Sequence, residues 1–501
     1  YNKGVRCFVV EESLSSRYPL SHFIVVEDTL KALQELAAHH RNNFFLPVIG
    51  ITGSNGKTII KEWLYQILSH EMSVARSPKS YNSQIGVPMS VWQLNELHQA
   101  AIFEAGISRP GEMQNLEKII RPTIGIFTNI GEAHGKNFDN IRHKVEEKLK
   151  LFLKVDTLIY CSDHKEIKEA VEKKNINTFS WSRKDNKADV LIYSIEKGEG
   201  ETIISAVRRN SQTQNDSKIF KFSDSQIQKI RIPFTDDASI ENAIHCWLAA
   251  MRLEIPDNVI ETKMQQLCPV EMRMELKSGI NNCEVINDSY NSDFNSLTIA
   301  LDFMNQHHHS KEKVVILSDI LQSELKEEDL YENIAHLLKG VTSLIGIGEA
   351  MLRQQNKFDI NKIFYKDTKD FLTNHKIEDF HNQMILLKGA RDFSFEKISR
   401  LLEEKAHESI LEINLDSLVK NMNYYRSKLK SGTKLMVMVK AFAYGSGNFE
   451  VSNVVEFHRA DYLTVAYADE GIELRRKGIS LPIMVMTPEA NTFESIIKNN
   501  L

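Results

Sequence analysis

The sequence predicts an α/β protein, and three observations carry that prediction. Short apolar runs alternate with stretches of helical periodicity from residue 44 onward, the order that produces a mainly parallel sheet covered by helices. One of these runs, Phe44 to Thr52, ends in a glycine-rich turn that opens a helix at Lys57, which is the architecture of a phosphate site. The alternation restarts near residue 270, so a second α/β section is expected.

Cys7 to Val10 and Phe23 to Val26 are apolar runs, the second followed by a helix-like stretch from Thr29 to His39. That is too little for an independent domain, so residues 1–45 read as the end of one. After the helix Lys57 to Ser69, strands are expected at Ala101 to Phe103, Ile124 to Thr128 and Thr157 to Tyr160. Residues 184 to 232 are polar with short alternating stretches and read as a small antiparallel insert. A helix from Ile240 to Leu253 follows the capping-type residues Asp236, Asp237 and Ser239. In the second section, strands are expected at Val314 to Ser318, Ser343 to Ile347 and Met384 to Lys388. A charged stretch at 403–408 reads as a helix end or linker. Beyond it come an alternating strand-like run, Ile410 to Leu415, a helix, and the strand Lys434 to Lys440.

A length of 501 residues suggests three or four domains. With 26% charged residues and 11 prolines, disorder and collagen-like structure are excluded. Lys+Arg 62 against Asp+Glu 67 gives a net charge of −5, so no general basic field draws nucleic acid. No run approaches the ~18 apolar residues of a membrane-spanning helix. The five cysteines are scattered and lack CxxC spacing, which favours reduced thiols in a cytoplasmic protein. Tyr1 to Arg6 has neither an initiator methionine nor a signal-peptide layout, and Ile496 to Leu501 reads as the interior of an element. Both ends are therefore expected to be truncated.

The strongest chemical signal is Gly50-Ile51-Thr52-Gly53-Ser54-Asn55-Gly56-Lys57-Thr58. Glycines let backbone N–H groups turn onto phosphate oxygens, and the following helix adds its positive end. Lys57 is placed to contact the β- and γ-phosphates, and the Thr58 hydroxyl to ligate Mg²⁺. Gly53, Ser54, Asn55 and Gly56 complete an ATP-binding loop. The strict Walker pattern has glycine where this chain has Ile51.

Thr52 to Thr58 resembles the loop of the Mur ligases and of folylpolyglutamate synthetase, which share ATP-dependent amide formation. Phe103-Glu104-Ala105-Gly106 with Arg109 to Met113, Thr128 to His134, Asn287 to Ser292, and Leu387 to Arg391 are similar to Mur ligase motifs. The last two resemble the branch that adds D-alanyl-D-alanine to a UDP-N-acetylmuramoyl-tripeptide. The resemblance covers about residues 1 to 403. It implies the end of a UDP-substrate-binding domain (1–45), a central P-loop-like ATPase domain (46–268) and a Rossmann-like C-terminal ligase domain (269–404).

The resemblance also implies roles. Glu104 and His134 become Mg²⁺ ligands, joined by Lys148 if carbamylated. Asn291 and Arg273 become ATP contacts from the last ligase domain. Asn82 and Gln84, in the loop Tyr81 to Pro88, become acceptor-recognising amides, and Lys388 and Arg391 further substrate contacts. Without it, a solvated strand-end carboxylate is the other reading of Glu104, although that edge is where doubly wound sheets put ligands; Lys148 is a helix-surface lysine, and Tyr81 to Pro88 is equally a Gly/Pro turn. Asp288 and Asp319 are polar neighbours with no assigned role. This chain departs from the family in having Ala238-Ser239 where members often carry His-Asn, which puts the adenosine contacts there in doubt.

The tail, residues 405–501, holds Met436 to Val439, Lys440, and then Ala441-Phe442-Ala443-Tyr444-Gly445-Ser446-Gly447. A lysine closing an apolar strand before a Tyr-Gly loop suits a Schiff-base lysine at the mouth of a β/α barrel, or a strand-end lysine in solvent. The segment resembles the pyridoxal 5′-phosphate (PLP) region of alanine racemase, as do Glu412 to Asp416 and Ala460 to Ala466. Lys440 then holds the cofactor and Tyr444 lies near it. Departures are Phe442, where aspartate is common, and Ser446, where histidine is common. About 95 residues match, against ~250 for a typical barrel. The second catalytic tyrosine is therefore expected to be missing, and racemisation by this chain alone is not expected. A homodimer through the racemase region is implied for a longer protein.

The resemblance thus implies a peptidoglycan-precursor ligase using ATP and Mg²⁺, fused to a PLP-dependent isomerase acting on alanine. Its partners are small molecules rather than nucleic acid or membrane. Two other readings stand beside it: a folylpolyglutamate synthetase-type ligase, and an ATP-binding scaffold without activity.

Overall fold

The computed structural model describes residues 6–69, 71–78, 80–131, 138–198, 200–209, 227–270, 274–289, 292–306, 311–320, 325–404, 413–430 and 432–501. Four sheets organise them. The first is a parallel pair, β1 (Cys7–Val10) with β2 (His22–Val25), followed by the helix Thr29–Arg41.

The second sheet carries the glycine-rich loop 53–58. Its strands are β3 (Val48–Thr52), β4 (Val74–Arg76), β5 (Ala100–Glu104), β6 (Ile124–Phe127), β7 (Thr157–Cys161), β8 (Thr178–Ser182), β9 (Val190–Lys197), β10 (Thr202–Arg208) and β11 (Ile227–Ile232). Their spatial order is β11-β10-β9-β8-β7-β6-β3-β5-β4. Strands β4 to β9 and β3 pair in parallel, whereas β9-β10-β11 are antiparallel. The expected antiparallel insert is thus an extension of this sheet: β8 pairs with β9 in parallel, so the hairpin strands continue the same hydrogen-bond ladder. Helices cover both faces, which is why β3, β5, β6 and β7 are buried along their whole length. Ile49 and Ile51 belong to the core on one face, with Trp63, Trp181 and Trp247, while Val48 belongs to the other, with Phe103, Phe127 and Phe152. Alternate residues leave a strand on opposite faces, so a continuous apolar run is required where both faces are packed.

The third sheet comprises β12 (Glu275–Ser278), β13 (Glu284–Asp288), β14 (Glu312–Ser318), β15 (Ser343–Ile347), β16 (Asn361–Tyr365) and β17 (Gln383–Lys388), in the order β12-β13-β17-β14-β15-β16. All neighbours are parallel except β12 against β13. It too is packed on both faces. The fourth sheet is parallel throughout, β18 (Met436–Met438), β19 (Tyr462–Val465) and β20 (Ile483–Val485), with helices between the strands and its own core, as at the start of a β/α barrel. The expected strand from 410 to 415 does not form over its described part. Asn414 instead caps the helix Leu415–Lys428, its side chain accepting from the Ser417 N–H at 2.8 Å, a use of asparagine that outweighs local alternation. Among the described residues no helix is long and apolar enough to cross a membrane.

Candidate active site

The loop 53–58 leaves the C-terminal edge of β3, the central strand, where doubly wound sheets place their ligands. Its shape demands glycine. Gly53 has φ +147°, and a Cβ there would lie 1.9 Å from Thr128 Oγ1; Gly56 has φ +83°, and its Cβ would lie 2.3 Å from Asn242 Oδ1. The segment after β6 clasps the loop. Asn129 O accepts from the Ser54 N–H (2.8 Å), Asn129 Oδ1 from the Asn55 N–H (2.9 Å), and Ser54 Oγ from the Gly131 N–H (2.8 Å). Thr128 Oγ1 donates to Asn55 O at 2.6 Å. The helix Lys57–Leu68 begins at Gly56, which supplies no side-chain cap, and an uncapped helix N-terminus attracts anions.

Three lysines surround this loop. Lys57 Nζ donates to Gly53 O and Ser54 O, both at 2.8 Å, and Lys148 Nζ donates to Gly53 O at 3.0 Å. Lys144, one turn before Lys148 on the helix Ile141–Leu149, reaches Gly131 O. Lys148 is therefore not a surface lysine: it is 4% exposed. Burial, then the charges of Lys57 and Lys144, push its pKa well below the usual lysine value, because both disfavour the ammonium form.

Across the loop, at the end of β5, Glu104 is fully buried. Thr58 Oγ1 donates to Glu104 Oε2 at 3.0 Å and lies 3.1 Å from Ser80 Oγ. Asn82 Nδ2 approaches the same carboxylate oxygen at 3.5 Å. The other oxygen, Oε1, stands 3.1 Å from Lys61 Nζ, and Lys61 is itself fully buried, donating also to Ser77 O at 2.9 Å. The solvated-carboxylate reading of Glu104 is thus excluded. Sequence reasoning missed Lys61 and Lys144. The available signal was spacing: Lys57 and Lys61, like Lys144 and Lys148, are i,i+4 pairs that share a helix face.

Two clefts meet at the loop. One, of about 640 Å³, is lined by Gly53 to Thr58, Asn82, Gln84, Lys148 and Arg391. Gln84 is held by neighbours, donating to Glu112 O (3.3 Å) and accepting from Gln34 (3.1 Å). The other, of about 760 Å³, is lined by Asn55, Gly56, Asn129, Asn242 and Lys388, among others. Lys388 and Arg391 therefore face different clefts, although three residues apart. Lys388 is fully buried and paired with Asp288 at 2.6 Å, which gives Asp288 a partner that the sequence did not reveal. Asp319 accepts the Ala350 and Met351 N–H groups at a helix start. In the second cleft His164 Nε2 meets Glu241 Oε1 at 2.8 Å. Burial opposes the charged imidazole, yet the Glu241 carboxylate prevails and raises the His164 pKa. His134, Arg273 and Asn291 lie outside the described residues. Among the described residues no group of three acidic, histidine or cysteine side chains forms a metal cage.

In the last sheet, Lys440 follows β18 directly. Ala441, Phe442, Ala443 and Tyr444 then have φ between +50° and +58°. Four successive non-glycine residues in the left-handed region cost about 1–2 kcal/mol each, and such strain clusters at functional sites. Glu470 holds the turn, accepting from the Ala441 N–H and the Ala466 N–H at 2.7 Å each. It bridges the ends of β18 and β19, and nothing local in the sequence announces it.

A glycine-shaped loop on a nine-stranded sheet, a second Rossmann-like sheet beside it, and a lysine at the mouth of a barrel segment define the class. Residues 51–250 match the Mur ligase middle domain and residues 413–501 the alanine racemase N-terminal domain. The chain thus carries a Mur ligase middle domain and, further along, an alanine racemase-type N-terminal domain. More particularly, it is similar to the UDP-N-acetylmuramoyl-tripeptide–D-alanyl-D-alanine ligase of Bacillus subtilis, 26% identical over 420 residues, covering 81% of this chain and 86% of the relative. Among solved structures, MurF from Acinetobacter baumannii matches with a TM-score of 0.65 at 22% identity, covering 78% of this chain and 84% of that one. The MurF ligase from Thermotoga maritima in complex with ADP matches with a TM-score of 0.64 at 18% identity, covering 80% and 95%. The structural matches establish a shared fold.

Proposed function

We propose that this chain joins D-alanyl-D-alanine to a UDP-N-acetylmuramoyl-tripeptide at the expense of ATP, a cytoplasmic step of peptidoglycan precursor synthesis, and that its last segment is a PLP-dependent alanine racemase domain. The observation that carries the ligase reading is the loop 53–58 standing between two clefts, which gives a triphosphate its seat and separate room for nucleoside and acceptor.

A carboxylate is a poor electrophile, so the γ-phosphoryl group is first transferred to the tripeptide carboxylate. The dipeptide amine then attacks the acyl phosphate, and the tetrahedral intermediate expels phosphate. The protein's work is positioning and charge stabilisation. Loop amides and Lys57 hold the phosphates, Lys57 exchanging its loop carbonyls for phosphoryl oxygens. Asn82, Gln84 and Arg391 orient the acceptor in the first cleft.

The Thr58 hydroxyl and Glu104 carboxylate, 3.0 Å apart, are hard oxygen donors that suit Mg²⁺, as would a carbamylated Lys148. When bound, Mg²⁺ supplies charge neutralisation at the phosphates. The depressed pKa of Lys148 supports carbamylation, because the free amine is the form that adds CO₂: its lone pair makes the N–C bond and a proton leaves to solvent. Lys440, on its strained turn, would hold PLP, which supplies an electron sink for α-proton removal when bound.

Phosphate release from ATP tests the ligase. Release that requires both the UDP-tripeptide and D-alanyl-D-alanine is expected. Release with a folate and glutamate instead would favour the folylpolyglutamate synthetase-type reading. ATP binding without release under any acceptor pair would favour the scaffold.

A further inference from the structure

The racemase-type segment packs against the Mur ligase middle domain along a seam that encloses a cleft of about 680 Å³. At one end Asn95 Nδ2 donates to Gly478 O at 3.0 Å. Gly478 has φ +91°, and a Cβ there would lie 2.6 Å from Ser73 Oγ and 3.0 Å from His98 Nε2. The two domains approach too closely at this joint for any side chain. In the middle, Tyr65 stacks on Phe449 with centroids 6.5 Å apart. The Arg76 guanidinium lies 3.6 Å from the centre of the Tyr65 ring. At the far end, Tyr81 meets Phe457 edge to face at 6.2 Å.

Tyr81 is the first residue of the loop that carries Asn82 and Gln84, and its ring lies in the seam while its neighbour Asn82 approaches Glu104. The loop is closed upon Tyr81: a Cβ on Gly86 would lie 2.9 Å from the Tyr81 backbone. Asn82 O accepts from the Gly106 N–H at 2.8 Å, tying the same turn to the residues after β5. A second line of contacts runs from the seam to the same carboxylate. Arg76 pairs with Glu62 at 2.6 Å, Glu62 with Lys61 at 2.9 Å, and Lys61 with Glu104 at 3.1 Å.

We propose that the docked racemase-type domain is a working part of the ligase, with Phe457 a positioning residue that holds Tyr81 and thereby the acceptor loop 81–88. Resting Tyr81 against Phe457 removes freedom from the loop before substrate arrives, so less ordering is left to be done on binding. The acceptor role of the loop rests on the ligase reading above; the docking itself does not.

The test uses the full chain with Phe457→Ala. Phe457 is half-buried, and the second variant, Asn95→Ala, loosens the opposite end of the seam from the ligase side, so that the racemase-type fold is untouched. An edge-to-face aromatic pair accounts for roughly a 3- to 10-fold change in an equilibrium. Amide hydrogen exchange in residues 81–88, measured without any substrate, is expected to quicken by about that factor in Phe457→Ala. In ligation, the KM for the acceptor should rise by about the same factor while kcat and the KM for ATP stay within about twofold. Phe457→Tyr should restore both readouts. Unchanged exchange in 81–88 overturns the proposal, and so does a loss confined to kcat. If the parent chain ligates nothing, the functional reading fails and the exchange measurement alone decides the docking.

Discussion

The buried pair Lys61–Glu104 yields a prediction whose size follows from the structure. Both side chains have no exposed surface, and they stand 3.1 Å apart. With an effective dielectric of about 20, their attraction is about 5 kcal/mol. Lys61→Met keeps the packed stem but leaves Glu104 buried without its cation, and removing one partner of a buried pair costs about 3–5 kcal/mol. The second variant, Lys61→Met with Glu104→Gln, removes both charges, and most of that loss should return; Glu62 keeps Arg76 as its partner at 2.6 Å. All four tryptophans, Trp63, Trp92, Trp181 and Trp247, lie between residues 51 and 250. Tryptophan fluorescence during urea unfolding therefore reports the domain that contains the pair. With a slope of about 2 kcal/mol per molar urea, Lys61→Met should lower the midpoint by roughly 2 M. A shift below roughly 0.5 M, or a double variant no more stable than Lys61→Met, would refute the pairing argument.

Four further outcomes are expected. Lys57→Ala should lose about 3 kcal/mol of transition-state stabilisation, roughly 100-fold in kcat, as when one electrostatic donor is removed; near-normal ligation by the folded variant would remove Lys57 from the chemistry. Lys148 should incorporate ¹³C-labelled CO₂ as a carbamate, seen by NMR in the parent chain and absent in Lys148→Ala. Burial pushes the fully buried His245 down to about 4, so between pH 4 and 6.5 the unfolded chain binds more protons than the folded one. Stability is fully present above about pH 6.5 and falls as pH drops toward 4, by about 3 kcal/mol for this group; His245→Gln should flatten the urea midpoint across that window. Borohydride treatment of the chain with PLP should label the peptide containing Lys440 and leave Lys440→Ala unlabelled.

Much of the fold was legible because its determinants are local. Apolar runs such as Thr157–Cys161 and Ser343–Ile347 are strands because packing on both faces demands continuous apolar sequence. Asp236 announces the helix Asp237–Arg252 by capping the Ser239 N–H at 2.7 Å. Where two local signals competed, at the described residues 413–415, alternation suggested a strand and the cap at Asn414 gave a helix start instead. The insert expected at 184 to 232 was legible as antiparallel, and its described strands β9, β10 and β11 are so paired, but their joining to the main sheet was not legible, because edge-to-edge pairing of β8 and β9 is not written in either strand.

What the sequence alone determined is the glycine-shaped loop 53–58, its helix, and the lysine closing β18: backbone shape and period are properties of neighbours along the chain. What only the tertiary structure decided is which charges meet. It buried Lys148 against Gly53, set Lys61 against Glu104 and Lys388 against Asp288, sent Lys388 and Arg391 to separate clefts, and brought Phe457 to Tyr81. Electrostatics and packing depend on distance in space and on access to water, and residues separated by forty to nearly four hundred positions acquire those only when the sheets assemble.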